Sequence, residues 1–289
     1  MYVGELGQIL PDLISDPIAA WVGDGMAPEL EKEFGGPHPS ATLQNYVNEI
    51  GRRLVKAQND RKDFPGRFMV LASEDVVNAF AIGNGNVYVT YGLMRILENE
   101  AEFASVVGHE IGHVTRRHIN KTIEEGVGTT ILLGLAESLL AGKRGEEENE
   151  LAAQLTAIGA ALVRGGFSRS YENEADGRGL KYAIQAGYDP SGIVGVMKKF
   201  QSMEAKVTGL EYYFRSHPLA EERVSALESR IRSRYPNVKG EIGRERYLSI
   251  VHGLGGAVQV TWEAAKPYAI AVGTAGAVLL GLWGLSKVV

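Results

Sequence analysis

Two histidines four residues apart with a glutamate between them, His109-Glu110-Ile111-Gly112-His113, are the residues of this chain best equipped for chemistry. On an α-helix, positions four apart lie one above the other, so both imidazoles project from one face at a separation that suits two corners of a tetrahedral zinc. Glu110 stands about 100° round the same helix, within reach of a water at the metal but badly placed to be a ligand itself. The H-E-x-x-H spacing therefore makes His109 and His113 candidate zinc ligands and Glu110 the candidate general base. A catalytic zinc of this kind takes a third protein ligand and keeps one position open.

The third ligand is expected in 168–177, Ser-Arg-Ser-Tyr-Glu-Asn-Glu-Ala-Asp-Gly, the richest acidic stretch downstream. Glu172 and Glu174 are both candidates. Glu172 and Asp176 share a helical face, so a liganding Glu172 brings Asp176 over the same site, where it can accept a hydrogen bond from a zinc-bound histidine. Glu174 points about 200° away from Glu172. The spacing favours Glu172 as ligand and Asp176 as the residue that orients a liganding histidine. Hydrolysis through such a zinc needs no covalent intermediate: Glu110 takes a proton from water and passes it to the leaving amine. The oxyanion that develops needs a partner, and His217, in the proline-stiffened turn Ser216-His217-Pro218, is the candidate. An alternative for His217 is the open zinc position in a resting state. His118 reads as a helix-end histidine facing solvent or the core.

These side chains need elements to hold them. Phe103, Val106 and Val107 recur at helical spacing ahead of the two histidines, predicting a helix that runs on through His118 with Arg116 and Arg117 near its end. The β-branched and aromatic run 86–90, bounded by Gly83, Gly85 and Gly92, predicts a strand. Placed at the edge of a small sheet, it could hold an extended peptide above the metal by main-chain hydrogen bonds. Between the two zinc motifs, 129–140 and 151–162 are apolar and helical, joined by the charged run 142–150. Both are too short to cross a bilayer and predict a hairpin beside the cleft, either a substrate-gating lid or membrane-surface contact, or plain core. The tail differs: 268–285 holds 18 residues without a charge, flanked by Lys266 and Lys287. It predicts a membrane-associated helix, of borderline length for a span.

Composition sets limits. With 289 residues, 45% hydrophobic and 22% charged, the chain can bury a sizeable core. A net charge of −5 argues against a nucleic-acid partner. The absence of cysteine excludes disulfides and a thiolate zinc site. Residues 1–16 carry Glu5, Asp12 and Asp16 and lack the basic and apolar regions of a signal peptide, which predicts a cytoplasmic or membrane-associated protein unless a leader has been removed.

Asn78-Ala79-Phe80-Ala81, the strand ending at Gly92-Leu93-Met94, the H-E-x-x-H motif followed by His118, Glu172-Asn173-Glu174-Ala175-Asp176, and Ser216-His217-Pro218 with Arg223 stand in a familiar order. Over 39–232 the chain resembles peptidase family forty-eight, the zinc endopeptidases that include the HtpX and CAAX prenyl proteases. The resemblance implies a gluzincin: one zinc per subunit on His109, His113 and Glu172, with Glu110 as base. The family pattern of a ligand glutamate followed four residues later by aspartate supports Glu172 over Glu174. The expectation is an α+β, mainly helical zincin domain with a small β-sheet beside the active-site helix. Its divisions are an N-terminal segment 1–38, a metallopeptidase domain 39–233, a connector 234–266 and a hydrophobic C-terminal helix 267–289. Its partners would be protein or peptide substrates, unfolded or membrane-associated, as in protein quality control, with membrane association through 268–285. The alternatives are a zinc-binding chaperone-like protein or a membrane-tethered interaction module with little proteolytic activity, and Glu110 weighs against both, since a structural zinc site needs no base.

Overall fold

Alternation along three short strands sets the layering. In chain order the elements are α1 (Val3–Glu33), α2 (Ala41–Ala57), β1 (Phe68–Leu71), β2 (Ala79–Ala81), β3 (Val87–Thr90), α3 (Tyr91–Ile96), α4 (Glu100–Thr115), α5 (His118–Val127), α6 (Arg169–Gln185), α7 (Ser191–Met203), α8 (Leu210–Ser216), α9 (Glu221–Arg234) and α10 (Arg244–Val251). They belong to a computed structural model that describes residues 3–60, 64–127, 165–203, 209–218 and 221–253. Phe68, Val70, Ala79, Ala81, Val87 and Val89 point to one face of the sheet, where α2 and α4 cover them. Leu71, Phe80 and Tyr88 point to the other, under Ile18, Val22, Met26 and Leu30 of α1 and Ile119 and Ile123 of α5. The period of two in the strands thus separates two apolar cores. The domain is mainly helical with a small sheet, as expected.

The strand order is β1-β3-β2, with β1 parallel and β2 antiparallel to β3. This corrects the placement of 86–90: β3 is the central strand, paired on both sides and buried along its whole length. Its strong β-forming residues suit the position with most neighbours. The edge beside α4 is β2, built largely of alanine, and joined to β3 by a turn in which Gly85 has φ +84°.

Helix α4 runs through the interior with every residue from 100 to 115 buried. Asn99 starts it, its Oδ1 accepting from the Glu102 amide at 2.9 Å, and Glu100 and Glu102 place negative charge on the first turn, where the helix dipole favours it. The helix stops at Thr115 and does not continue through His118. Arg117 adopts φ 59°, a left-handed conformation that costs a non-glycine residue roughly 1–2 kcal/mol, and the chain restarts as α5. An ion pair of 3.0 Å from Arg117 Nε to Asp16 Oδ1 ties this break to α1.

Packing also extends past both ends of 39–233. Residues of α1 form one wall of the second core. The stretch 234–266, expected to be a connector, contains α10, whose Tyr247 is fully buried and donates from its hydroxyl to Met94 O at 2.7 Å. Just before α10, Glu241 N donates to Gly187 O at 2.8 Å. Among the described residues no helix is long and apolar enough to cross a membrane. The apolar pair 129–140 and 151–162 and the tail 268–285 lie outside the described residues.

Candidate active site

Glycine brings the two site-bearing helices together. A Cβ added at Gly179 of α6 would lie 2.8 Å from the backbone nitrogen of His109, and one at Gly112 of α4 would lie 3.0 Å from Ala175 O. The missing side chains let the backbones approach closely enough for His109 and His113 on α4 to meet Glu172 and Asp176 on α6. His217, capping the end of α8, joins them, its amide donating to Tyr213 O at 2.7 Å. All five side chains are buried.

One donor atom from each of His109, His113, Glu172 and His217 lies within 4.8 Å of the others. His109 Nε2 is 3.0 Å from His113 Nε2, 3.5 Å from Glu172 Oε2 and 3.2 Å from His217 Nδ1. Glu172 Oε1 is 3.3 Å from His113 Nε2 and 3.2 Å from His217 Nδ1. An ion holding nitrogen and oxygen at about 2.0–2.2 Å in a tetrahedron separates neighbouring donors by roughly 3.4 Å, so the set fits zinc. The donor chemistry agrees. The other ring nitrogen of His109 is engaged by Asp176 Oδ1 at 2.9 Å, and that of His113 by His118 Nδ1 at 2.9 Å, which leaves both Nε2 atoms to face a common point.

The charges around this point are ordered. Burial opposes a proton on His109, yet the carboxylates of Glu172 and Asp176 together push its pKa up, whereas burial pushes His113 down. Burial also works against the Glu172 carboxylate, but His217 and His109 hold it well below the usual range. Arg223 bridges the two acids, its Nη1 2.9 Å from Glu172 Oε2 and its Nε 2.7 Å from Asp176 Oδ2.

Glu110 stands off this cluster, toward β2. Burial raises its pKa, a hydrogen bond with the Ala81 backbone opposes the rise, and its Oε1 has no hydrogen-bond partner. His217 Nε2 is 3.4 Å from that oxygen and 3.3 Å from Ala79 O. A small groove opens here, lined by Phe80, Ala81, Glu110, Ile119, Phe167, Ser216 and His217. A buried carboxylate with a free oxygen at the mouth of a groove is poised to accept a proton.

His109, Glu110, His113, Glu172, Asp176 and His217 are therefore all brought together. Sequence reasoning overlooked three contributions. His118, at the start of α5, faces the core, the second of the two placements expected of it, and is wholly buried against His113. Glu174 is not among the converging donors and bonds His118. Arg223, noted for its place in the motif order, supplies the guanidinium between the two acids; only its spacing six residues after His217 marked it.

Comparison with known proteins gives a consistent result. Residues 41–231 match the model of Peptidase family M48. The chain is similar to the beta-barrel assembly-enhancing protease of Yersinia pestis, 32% identical over 197 residues that cover 68% of this chain and 40% of the relative. Its counterpart in Escherichia coli (strain K12) is 30% identical over 215 residues, 74% of this chain and 44% of the relative. The metalloprotease LoiP of Escherichia coli (strain K12) is 31% identical over 198 residues, 66% of this chain and 74% of the relative. The chain spans less than half the length of the assembly-enhancing relatives it matches.

Proposed function

Because this chain belongs to peptidase family M48, we propose that it is a zinc-dependent endopeptidase acting on protein substrates, with the metal on His109, His113 and Glu172 and with Glu110 as general base. The observation that carries this reading is the buried Oε1 of Glu110, without a hydrogen-bond partner, beside a converging set of two imidazoles and a carboxylate. Zinc, when bound, would act as a Lewis acid on the scissile carbonyl and make water acidic near neutral pH. Glu110 accepts one proton from the attacking water as its oxygen bonds to the carbonyl carbon. It then delivers that proton to the nitrogen as the C–N bond breaks, and its raised pKa brings it nearer the working pH of such a transfer. His217 donates a hydrogen bond to the carbonyl oxygen as negative charge develops there. In the absence of a peptide its Nδ1, 3.2 Å from both His109 Nε2 and Glu172 Oε1, makes it a fourth donor. Asp176 holds His109 in the tautomer that leaves Nε2 free, and Arg223 fixes both acids. Strand β2, the sheet edge next to Glu110, is where an extended substrate would lie.

Cleavage of casein should stop with a chelator and return with zinc. Glu110→Gln should keep its zinc and lose about 100- to 10,000-fold in rate. Near-wild-type cleavage by that variant would refute the assignment. The relatives named for β-barrel assembly support substrates drawn from protein quality control. The uncharged run 268–285 supports membrane association, which flotation with liposomes would lose in a chain ending near Lys266.

A further inference from the structure

His118 takes no part in the chemistry above, yet it is wholly buried beside a candidate ligand. Its Nδ1 is 2.9 Å from His113 Nδ1 and its Nε2 is 3.3 Å from Glu174 Oε2. Arg116 and Arg178 hold Glu174 from its other side. Tyr171 stacks on the His118 ring with centroids 4.4 Å apart and planes 14° from parallel. Phe167 stacks in the same way on His113, at 4.2 Å.

The order of protons along this chain of groups follows from His113. For its Nε2 to offer a lone pair next to Glu172, the ring proton must sit on Nδ1. That N–H then donates to His118 Nδ1, so His118 carries its own proton on Nε2 and donates it to the Glu174 carboxylate. His118 is neutral in this arrangement.

The backbone is bent to make the contact. In an unbroken α-helix residue 118 would lie about 140° round from His113, and the two rings could not meet. Arg117 instead takes its left-handed φ of 59°, ends α4 and turns His118 back toward His113. Strained non-glycine residues of this kind persist where the surroundings over-determine them, and they cluster at functional sites.

We infer that His118 and Glu174 are positioning residues for His113, fixing its tautomer and its aim as Asp176 and Arg223 do for His109. The inference rests on the metal-centre reading above, and its test separates the two. Zinc affinity of the full chain would be measured by competition with a chelator for wild type, H118L, H118N and E174Q, with the melting temperature of each metal-free protein. H118L should bind zinc about 10- to 100-fold more weakly. H118N, which keeps an acceptor near the position of Nδ1, should recover part of the loss, and E174Q should fall between H118L and wild type. Nitrogen-15 NMR of the zinc-loaded protein should find the His113 proton on Nδ1 and the His118 proton on Nε2. If H118L fails to fold, H118N, E174Q and the wild-type tautomers still decide. Affinities within two-fold of wild type in all the folded variants, or a His113 proton elsewhere than Nδ1, would overturn the inference and leave the metal centre standing. A wild-type protein that takes up no zinc would overturn the metal centre and the inference with it.

Discussion

Replacing Gly179 with alanine should separate the two helices that carry the candidate ligands. The new Cβ would lie 2.8 Å from His109 N, 3.0 Å from its Cα and 3.1 Å from Gly108 C. These are backbone atoms, so no side-chain rotation relieves the contact, and reaching ordinary packing at 3.4 Å needs a shift of about 0.6 Å. Glu172 lies seven residues earlier on α6, two turns away on the same face, and must move with the backbone. Metal ligands tolerate about 0.2 Å. Stability and affinity should therefore part from the simple helix expectation. Gly→Ala inside a helix gains about 1 kcal/mol, while overpacking a filled crossing costs about 1–3 kcal/mol. Gly195→Ala in α7 supplies the control, because its added Cβ would meet nothing nearer than Glu102 Oε1 at 3.6 Å. In denaturant titrations Gly195→Ala should stabilise by about 1 kcal/mol, and Gly179→Ala should fall about 1–3 kcal/mol below it. Chelator competition should show about 10- to 100-fold weaker zinc binding for Gly179→Ala alone. If Gly179→Ala matches Gly195→Ala in stability and wild type in zinc affinity, the glycine crossing does not set the site.

Tyr247→Ala should cost about 3–5 kcal/mol in denaturant unfolding, because it empties a fully buried position in α10 and removes the donor to Met94 O; a loss below about 1 kcal/mol would mean that α10 is peripheral. Burial opposes the Glu98 carboxylate, but Arg244 at 2.7 Å and Lys199 at 3.2 Å hold its pKa below the usual range. A carboxyl depressed on folding stabilises above its unfolded value of about 4.3 and loses that contribution as pH falls through its folded value. Glu98→Gln should thus lower stability by about 1 kcal/mol at pH 7, with the gap to wild type closing toward pH 3 in urea titrations. A gap that widens on acidification would reverse the sign of the argument.

Chemistry carried by short spacings is legible in the sequence itself. The four-residue step from His109 to His113 and from Glu172 to Asp176 already puts the right groups on the right helix faces, and the same helical geometry separates Glu172 from Glu174. What stays hidden depends on relations that spacing does not encode. The β character of 86–90 reveals a strand but not its place in the sheet, while the alanines of 79–81 conceal the edge. His118 is out of phase with His113 on any continuous helix, so its role appears only once Arg117 breaks the helix. Residues 244–251 sit among glycine and charge that mask the pair Tyr247 and Val251, one turn apart, by which α10 reaches the core.

The atoms that converge on the site are far apart along the chain: His109 and His217 are separated by 108 residues, and only His109 and His113 are near neighbours. An unfolded chain offers a cation little more than that local pair, whereas the native fold offers the full set. Zinc is then a ligand of the native state, and at a free concentration a thousand times its dissociation constant it would favour that state by about 4.1 kcal/mol. A copy without metal would lack that contribution, so the candidate ligand set would hold distant parts of the chain together as well as hold the ion.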